Sequence, residues 1–333
     1  MTRPAHLAAY AGVRTIVLGA SGFIGRWVGR VLTKAGSDLH LVVRDGHAAR
    51  KVFDEFDVAG QIHEQDLSQP SGLADLFRMI RPAVVFNLVG YGVDPAERND
   101  ELARRINTEL VKAAAEAAAA VADRSWCGQN FVHVGSALEY GTTPANLAED
   151  GPATPTTLYG QTKLAGTVAV QQISRTLALT AVTARLFTVY GPGEHDGRLL
   201  PSLLKAAQSG TPLNLTAGHQ MRDFTYVEDV ADGLLRLGAC GQASGQIVNL
   251  ASGRLTKVRD FVVIASGIFE IPSQNLILGA ISTRPEEMCH ADVTIDRLRR
   301  LVRWTPNVSI AEGIQRTWGF TNRQCKAVAD SVP

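Results

Sequence analysis

The sequence predicts an α/β protein: a doubly wound parallel sheet covered by helices, followed by a smaller C-terminal α/β lobe. Three observations carry this. Short β-branched runs alternate with helical patterns through the first half of the 333 residues, a glycine-rich turn follows the first such run, and the rhythm loosens after Phe187. Strands that alternate with helices pack side by side and in parallel, because each crossover helix must return the chain to the same edge.

In chain order, "RTIVLGA" (14–20) is β-branched and stops at glycine, the mark of a strand, and "FIGRWVGRVLTKAG" (23–36) spaces its apolar residues as a helix does. "DLHLVVR" (38–44) and "AVVFNLVG" (83–90) are apolar runs short enough for buried strands. "ELARRINTELVKAAAEAAAAVA" (101–122) is dense in the best helix former. "NFVHVGS" (130–136) and "LTAVTARLF" (179–187) are strands on either side of a helix that carries "YGQTK". All these steps run in one direction. Beyond them come the turn-rich "YGPGEHDG", a helix near 199–209, and "IVNLAS" (247–252), a strand that should rejoin the sheet. The division that follows is 13–187 with about 225–252 for a dinucleotide-binding domain and 188–224 with 253–320 for a substrate lobe. Residues 1–12 and 321–333 are expected to be loose.

Hydrophobic residues make up 45% of the chain and charged residues 20%, with a formal net charge of +1. No field strong enough to attract nucleic acid or a membrane surface arises, so the partner is expected to be a small molecule. Cys127, Cys240, Cys289 and Cys325 show neither disulfide nor zinc spacing, and no metal is expected. The N-terminus lacks a signal-peptide pattern and no apolar run is long enough to span a bilayer, which predicts a cytoplasmic protein.

"GASGFIG" places Gly19, Gly22 and Gly25 between the first strand and the first helix. There, bare backbone at Ser21, Phe23 and Ile24 can approach a pyrophosphate and the helix N-terminus favours its charge. At the end of the second strand an arginine would pair with a 2′-phosphate and a carboxylate with a free 2′-hydroxyl. Arg44 comes first and Asp45 second, so NADP is favoured and NAD is the alternative, with Arg26 adding charge near the same edge. Asp66 and Leu67, in "EQDLSQ", fall where such folds border adenine.

Tyr159 and Lys163 stand four residues apart and so share a helix face, both are expected to border the cofactor, and the lysine has donors left to hold the nicotinamide ribose. A phenol titrates near 10 when unperturbed, and an adjacent ammonium together with a cationic nicotinamide would bring it toward the neutral range. Ser136, at a strand end, is placed to hydrogen-bond a carbonyl or alkoxide, and Asn107 to complete a relay through water to the lysine. His195, in a loop, is expected to be solvated, His133 structural, and Asp229 the N-cap of the helix "VADGLLRL".

"GASGFIG", "GSALEYG" (135–141), "YGQTK" (159–163), "ARLFTVYGPG" (184–193) and "RDFTYVEDV" (222–230) resemble, in this order and over nearly the whole chain, the extended short-chain dehydrogenase/reductase family of NAD-dependent epimerases and dehydratases. The last two segments resemble the branch that works on nucleotide sugars. The resemblance implies a Rossmann domain, catalysis by Ser136, Tyr159 and Lys163, and a homodimer joined by a four-helix bundle. It also implies Arg222 and Arg284 as ligands of a substrate pyrophosphate. Thr188 replaces an asparagine that contacts substrate phosphate in many such proteins, and Tyr91 replaces a small residue and is expected to shape the sugar pocket.

Dehydratases of this type carry Asp-Glu directly after the catalytic Ser/Thr; here those places are Ala137 and Leu138, and Glu139 falls one residue late. That leaves an NADPH-dependent 4-ketoreductase acting on a nucleotide-linked 4-keto-6-deoxyhexose as the leading expectation. An NAD-retaining 4-epimerase is the alternative. A reductase of aromatic ketones and a non-catalytic dinucleotide sensor are further possibilities.

Overall fold

The computed structural model describes residues 4–329 other than 70, 93–96, 98, 144–145 and 284–290, with side chains as far as Arg323. Its strands are β1 (Arg14–Leu18), β2 (Asp38–Val43), β3 (Gln61–Glu64), β4 (Val84–Asn87), β5 (Phe131–Ser136), β6 (Ala181–Leu186), β7 (Thr188–Tyr190), β8 (Leu213–Leu215), β9 (Met221–Tyr226), β10 (Ile247–Leu250), β11 (Leu255–Lys257) and β12 (Leu276–Leu278). Its α-helices up to the second half of the sheet are α1 (Ala5–Ala8), α2 (Phe23–Ala35), α3 (Gly46–Glu55), α4 (Leu73–Ile80), α5 (Asp100–Arg104), α6 (Leu110–Val121) and α7 (Leu158–Thr176). Then come α8 (Leu199–Ser209), α9 (Val227–Ala239), α10 (Val258–Phe269), α11 (Asp296–Val302) and α12 (Ile310–Ala329).

Seven strands form one parallel sheet in the order β3-β2-β1-β4-β5-β6-β10. "IVNLAS" therefore does rejoin the sheet, at its edge. Alternate residues of each strand enter two cores. Ile16, Leu18, Val42, Val85 and Phe131 pack with α4 and α6, whereas Val17, Leu41, Val43, Phe86 and Val132 pack with α2, α3 and α9. A strand buried on both faces must be apolar at consecutive positions, which is why the sequence shows runs there and not alternation. The order reverses between β1 and β4, whose ends pair at Leu18 and Asn87, and that is where a doubly wound sheet opens a crevice.

Three departures from expectation have physical causes. The N-terminal arm is not loose from Pro4 onward: Tyr10 is fully buried against Phe86 and Trp126, its hydroxyl donates to the Leu235 carbonyl at 2.7 Å, and His6 meets Asp232 at 2.6 Å. The last helix, α12, continues past 321 to Ala329, anchored by Phe320 against Trp27 and Phe56. The helix expected over 101–122 is broken by a π turn at Arg105–Glu109, which places Asn107 at the bulge.

Beyond β6 the chain forms two small sheets, β11-β9-β7 and β12-β8, with α10 packed on α8 and α12. Asp229 lies inside the first turn of α9, whose N-cap is Tyr226. It accepts from the backbone N–H groups of Asn307 and Val308, both at 2.8 Å, and so ties the lobe to α9 instead of capping it.

Candidate active site

Gly19 ends β1 with φ +76°, a conformation only glycine adopts without strain. A Cβ on Gly25 would lie 2.2 Å from the Gly19 carbonyl oxygen, so this third glycine lets α2 close onto the turn. Gly22 is the N-cap of α2 and brings no side chain to its first turn. The N-terminus of α3 is different: Asp45 accepts from Ala48 N–H at 2.9 Å and Glu64 from Gly46 N–H at 2.9 Å. Unlike that of α3, the first turn of α2, with Phe23, Ile24 and Gly25, has no side-chain cap, which leaves its N–H groups open to an anion. Arg26 is engaged with the glycine turn itself. Its guanidinium donates to the carbonyls of Ser21 (2.8 Å) and Gly22 (3.2 Å) and rests on the ring of Phe56, bracing the turn.

At the end of β2, Arg44 is exposed, and it makes no hydrogen bond or ion pair with another described residue. Its charge reaches Asp66 at the end of β3. That carboxyl lies below the usual range because Ser68 hydrogen-bonds it, with Arg44 adding a smaller pull. Leu67 is buried beside it in the sheet core.

Ser136 closes β5 and caps a short 3₁₀ turn, Ala137–Glu139, its hydroxyl accepting from Leu138 N–H at 3.2 Å. Tyr159 sits in the first turn of α7, which Thr157 caps. Burial pushes its phenol up to about 12; a hydrogen bond from Ser136 and the charge of Arg198 work against this, and Glu139 adds to it. Lys163, 1% exposed, donates to the Val134 carbonyl at 2.6 Å, and burial lowers its ammonium to about 8 against the opposing charge of Glu139. The expected lowering of the phenol by the lysine is not seen among the groups that act on Tyr159, because the ammonium is drawn beneath α7 to the strand.

The Asn107 side chain is engaged by Tyr91 and Thr162. Its amide donates to the Tyr91 carbonyl (2.8 Å) and the Thr162 hydroxyl (3.0 Å), and its oxygen accepts from Tyr91 N–H (3.0 Å). It is a bracket between the loop after β4 and α7. The next residue in that loop, Gly92, has φ +100°, and a Cβ there would lie 3.3 Å from the Tyr159 ring. Tyr91 is therefore held one residue from the phenol.

Beneath Ser136 lies a pair that the motif pattern did not single out. Glu139, fully buried, meets Arg185 at 2.8 Å and accepts from Ser136 N–H (2.8 Å) and the Thr167 hydroxyl (3.1 Å). The chain is no longer extended there. The 3₁₀ turn rotates Glu139 inward, toward the sheet.

On the opposite side, Thr188 opens β7 opposite Phe224 of β9, and Arg222 lies two residues before Phe224 on the same face of that strand. Arg222 donates to the Met221 carbonyl at 3.0 Å. Arg284 lies outside the described residues. Asp223 is a structural clamp, accepting from Ser252, Gly253 and Arg254 N–H groups.

His195 is exposed, as expected, and His133 is fully buried on β5 against Asn87. Glu194 is a residue that sequence reasoning missed. Its side chain is 6% exposed, burial raises its carboxyl to about 7, and it faces Arg198 at 3.5 Å. A cavity of about 520 Å³ lies between this loop, α8 and α12; Ser136, Tyr159 and Lys163 do not line it. Among the described residues no cluster of His, Cys, Asp or Glu has the makings of a metal site, and no helix is long and apolar enough to cross a membrane.

Residues 15–251 match the NAD dependent epimerase/dehydratase family. A dTDP-6-deoxy-L-talose 4-dehydrogenase (NAD(P)(+)) of Kitasatospora kifunensis is 30% identical over 92% of this chain and 95% of its own. A UDP-glucose 4-epimerase of Mycolicibacterium smegmatis is 27% identical over 92% of this chain and 98% of its own. Among solved structures, an epimerase from Methanothermobacter thermautotrophicus superposes with a TM-score of 0.85 at 25% identity, covering 98% of this chain and 97% of that one.

Proposed function

The chain belongs to the NAD dependent epimerase/dehydratase family and is an NAD(P)-dependent nucleotide-sugar enzyme, and we propose that within this family it is an NADPH-dependent 4-ketoreductase of a nucleotide-linked 4-keto-6-deoxyhexose. The observation that carries the cofactor choice is the division of labour at the end of β2. Asp45, the carboxylate that would hold a free ribose 2′-hydroxyl, caps α3, while Arg44 beside it is exposed and unpaired among the described residues. A reductase exchanges its cofactor each turnover and suits NADPH; an epimerase keeps NAD. Similarity to the talose 4-dehydrogenase supports redox at a sugar C4.

The absence of dehydration follows from Ala137 and Leu138, and Glu139 does not substitute for the missing acids. Its carboxylate is held by Arg185, Ser136 and Thr167. In the proposed site the Gly19–Gly25 turn and the start of α2 hold the pyrophosphate and Arg44 the 2′-phosphate. When bound, the reduced dinucleotide supplies the hydride. Ser136 hydrogen-bonds the substrate carbonyl oxygen, and Tyr159, protonated well above neutrality, donates the proton that turns it into an alcohol. Lys163, one turn away on the same face, is proposed to hold the nicotinamide ribose with the donors its ammonium has to spare. Thr188 and Arg222 are proposed to meet the nucleotide phosphates, the arginine through forked hydrogen bonds, with Arg284 as a second arginine, and Tyr91 to line the sugar pocket.

Gln161, Ala165, Val168 and Gln172 form one exposed stripe along α7, which supports a homodimer through α6 and α7. The 4-epimerase alternative has the likeness to UDP-glucose 4-epimerase in its favour. Incubation of the purified protein with a dTDP-4-keto-6-deoxyhexose separates the two. A reductase converts it only with added NADPH, which it consumes; an inert keto sugar, together with a dTDP-hexose epimerised at C4 by protein that carries NAD and needs no added reductant, overturns the proposal.

A further inference from the structure

The pair Glu139–Arg185 is costly and sits where it can act. Removing two charges from water is repaid only by good geometry, and replacing such a pair with apolar residues is often neutral or stabilising, so core stability alone is a weak reason for it. Here both side chains are at most 2% exposed, and Arg185 Nη1 lacks a partner among the described residues. Its guanidinium lies 4.4 Å from the centre of the Tyr140 ring, which pins it from one side.

The glycine before Ser136 belongs to the same device. A Cβ on Gly135 would lie 2.5 Å from the Glu139 carboxylate and 3.1 Å from Thr183, so the carboxylate fits because residue 135 has no side chain. In the S-S-x-x-x-Y-G pattern that "GSALEYG" resembles, a serine stands at that place. Gly135 departs from that pattern, and the space it leaves takes the Glu139 carboxylate.

We propose that Glu139, clamped by Arg185 under the tip of β5, is a positioning residue: its carboxylate sets the turn that presents the Ser136 hydroxyl and holds Lys163 in its ammonium form. The first half rests on the hydrogen bond from Ser136 N–H to Glu139, which with the Ser136–Leu138 bond closes a capping box. The second rests on placement and burial: the same carboxylate accepts from the Thr167 hydroxyl at 3.1 Å, one turn beyond Lys163 on the same face of α7, and Glu139 and Lys163 are both at most 1% exposed. The titratable groups whose charge couples to Lys163 are Glu139 on the turn and His133 on β5; Arg185 on β6 pairs with that carboxylate, Tyr159 lies one turn earlier on the same helix, and from the π turn Asn107 and Thr108 hold the adjacent Thr162 with neutral groups. Burial and the lysine charge push His133 well below its usual range, so it is neutral and gives no compensating charge. Glu139 is the anion opposing the burial of Lys163. The inference depends on Lys163 belonging to the reacting set proposed above.

The test follows the lysine itself. In full-length protein carrying ¹³C-lysine, the Lys163 Cε signal is assigned by its loss in Lys163→Met and titrated in wild type and in Glu139→Gln. The midpoint is expected to fall by about one pH unit or more in the variant. NADPH binding, followed by fluorescence, is expected to weaken at least about fivefold at pH 8 and to match wild type at pH 6. Because Glu139→Gln leaves Arg185 buried without its partner, the double variant Glu139→Gln with Arg185→Met is titrated alongside it and is expected to show the same fall. An unchanged midpoint in a folded variant overturns the inference. Failure of the wild type to bind either dinucleotide would instead overturn the functional proposal, and the titration would still judge Glu139.

Discussion

The Lys163 ammonium donates to the Val134 carbonyl at 2.6 Å on the strand beneath α7, while the phenol of Tyr159, one turn earlier, is hydrogen-bonded by Ser136. The two groups share a helix face but have different partners. The chain therefore sets a phenol that stays protonated, suited to donating, beside a lysine poised close to neutrality.

This separation fixes a pH dependence. The Lys163 value is lowered to about 8, so the residue is an ammonium below that pH and neutral above it, whereas the phenol, near 12, does not titrate in the working range. We expect kcat/KM for reduction, which reports the free enzyme, to fall as pH rises through about 8. Lys163→Arg cannot deprotonate and should abolish that limb at reduced activity. A wild-type limb that persists unchanged in Lys163→Arg would assign it to another group.

Arg44→Ala should raise the KM for NADPH about 10- to 100-fold and leave that for NADH nearly unchanged, the loss of one charge-assisted contact worth about 1.5–3 kcal/mol. Asp45→Ala should do something else. It removes the cap of α3 and about 1 kcal/mol of stability, measured by urea unfolding, without altering the NADPH/NADH ratio.

Glu194 makes a stability prediction with a definite sign. Its folded value, about 7, lies above the ordinary 4.5, so ionising the buried carboxyl opposes folding. Stability should decline between about pH 4.5 and 7 and level off above, for a total of about 3 kcal/mol at 1.36 kcal/mol per unit. Glu194→Gln is expected to unfold at higher temperature than wild type at pH 8 and at nearly the same temperature at pH 5. Equal shifts at both values would remove the buried-carboxyl explanation.

Tyr10→Phe should cost about 1 kcal/mol in urea unfolding, the worth of its buried hydrogen bond to Leu235. A loose arm would show no change.

The parallel sheet was legible because strands buried on both faces, such as Ile16–Leu18 and Val84–Phe86, leave continuous apolar runs, and the glycine turn sits between them in fixed order. The capping role of Asp45 was hidden in an Arg-Asp pair that admits two assignments until the start of α3 is known. The bond from Asn107 to Tyr91 was not legible because a π turn aims its side chain there, and no periodicity marks a one-residue bulge. Tyr10 was missed since a single aromatic in a short alanine-rich arm gives no pattern, though it packs against Phe86 and Trp126. Glu139 turned inward because the strand ends at Ser136, three residues before it, and a 3₁₀ turn follows; the only trace in the sequence was the glycine at 135.

The central claim is that Tyr159 protonates a keto sugar reduced at the expense of NADPH. Its most direct test is single-turnover mixing of NADPH-loaded protein with a dTDP-4-keto-6-deoxyhexose, following nicotinamide absorbance in wild type and Tyr159→Phe. We expect one NADPH oxidised per hexose reduced, and a rate about 10²- to 10⁴-fold lower in the variant with NADPH binding unchanged. Equal rates in the two proteins, or hexose converted with no NADPH consumed, would contradict it.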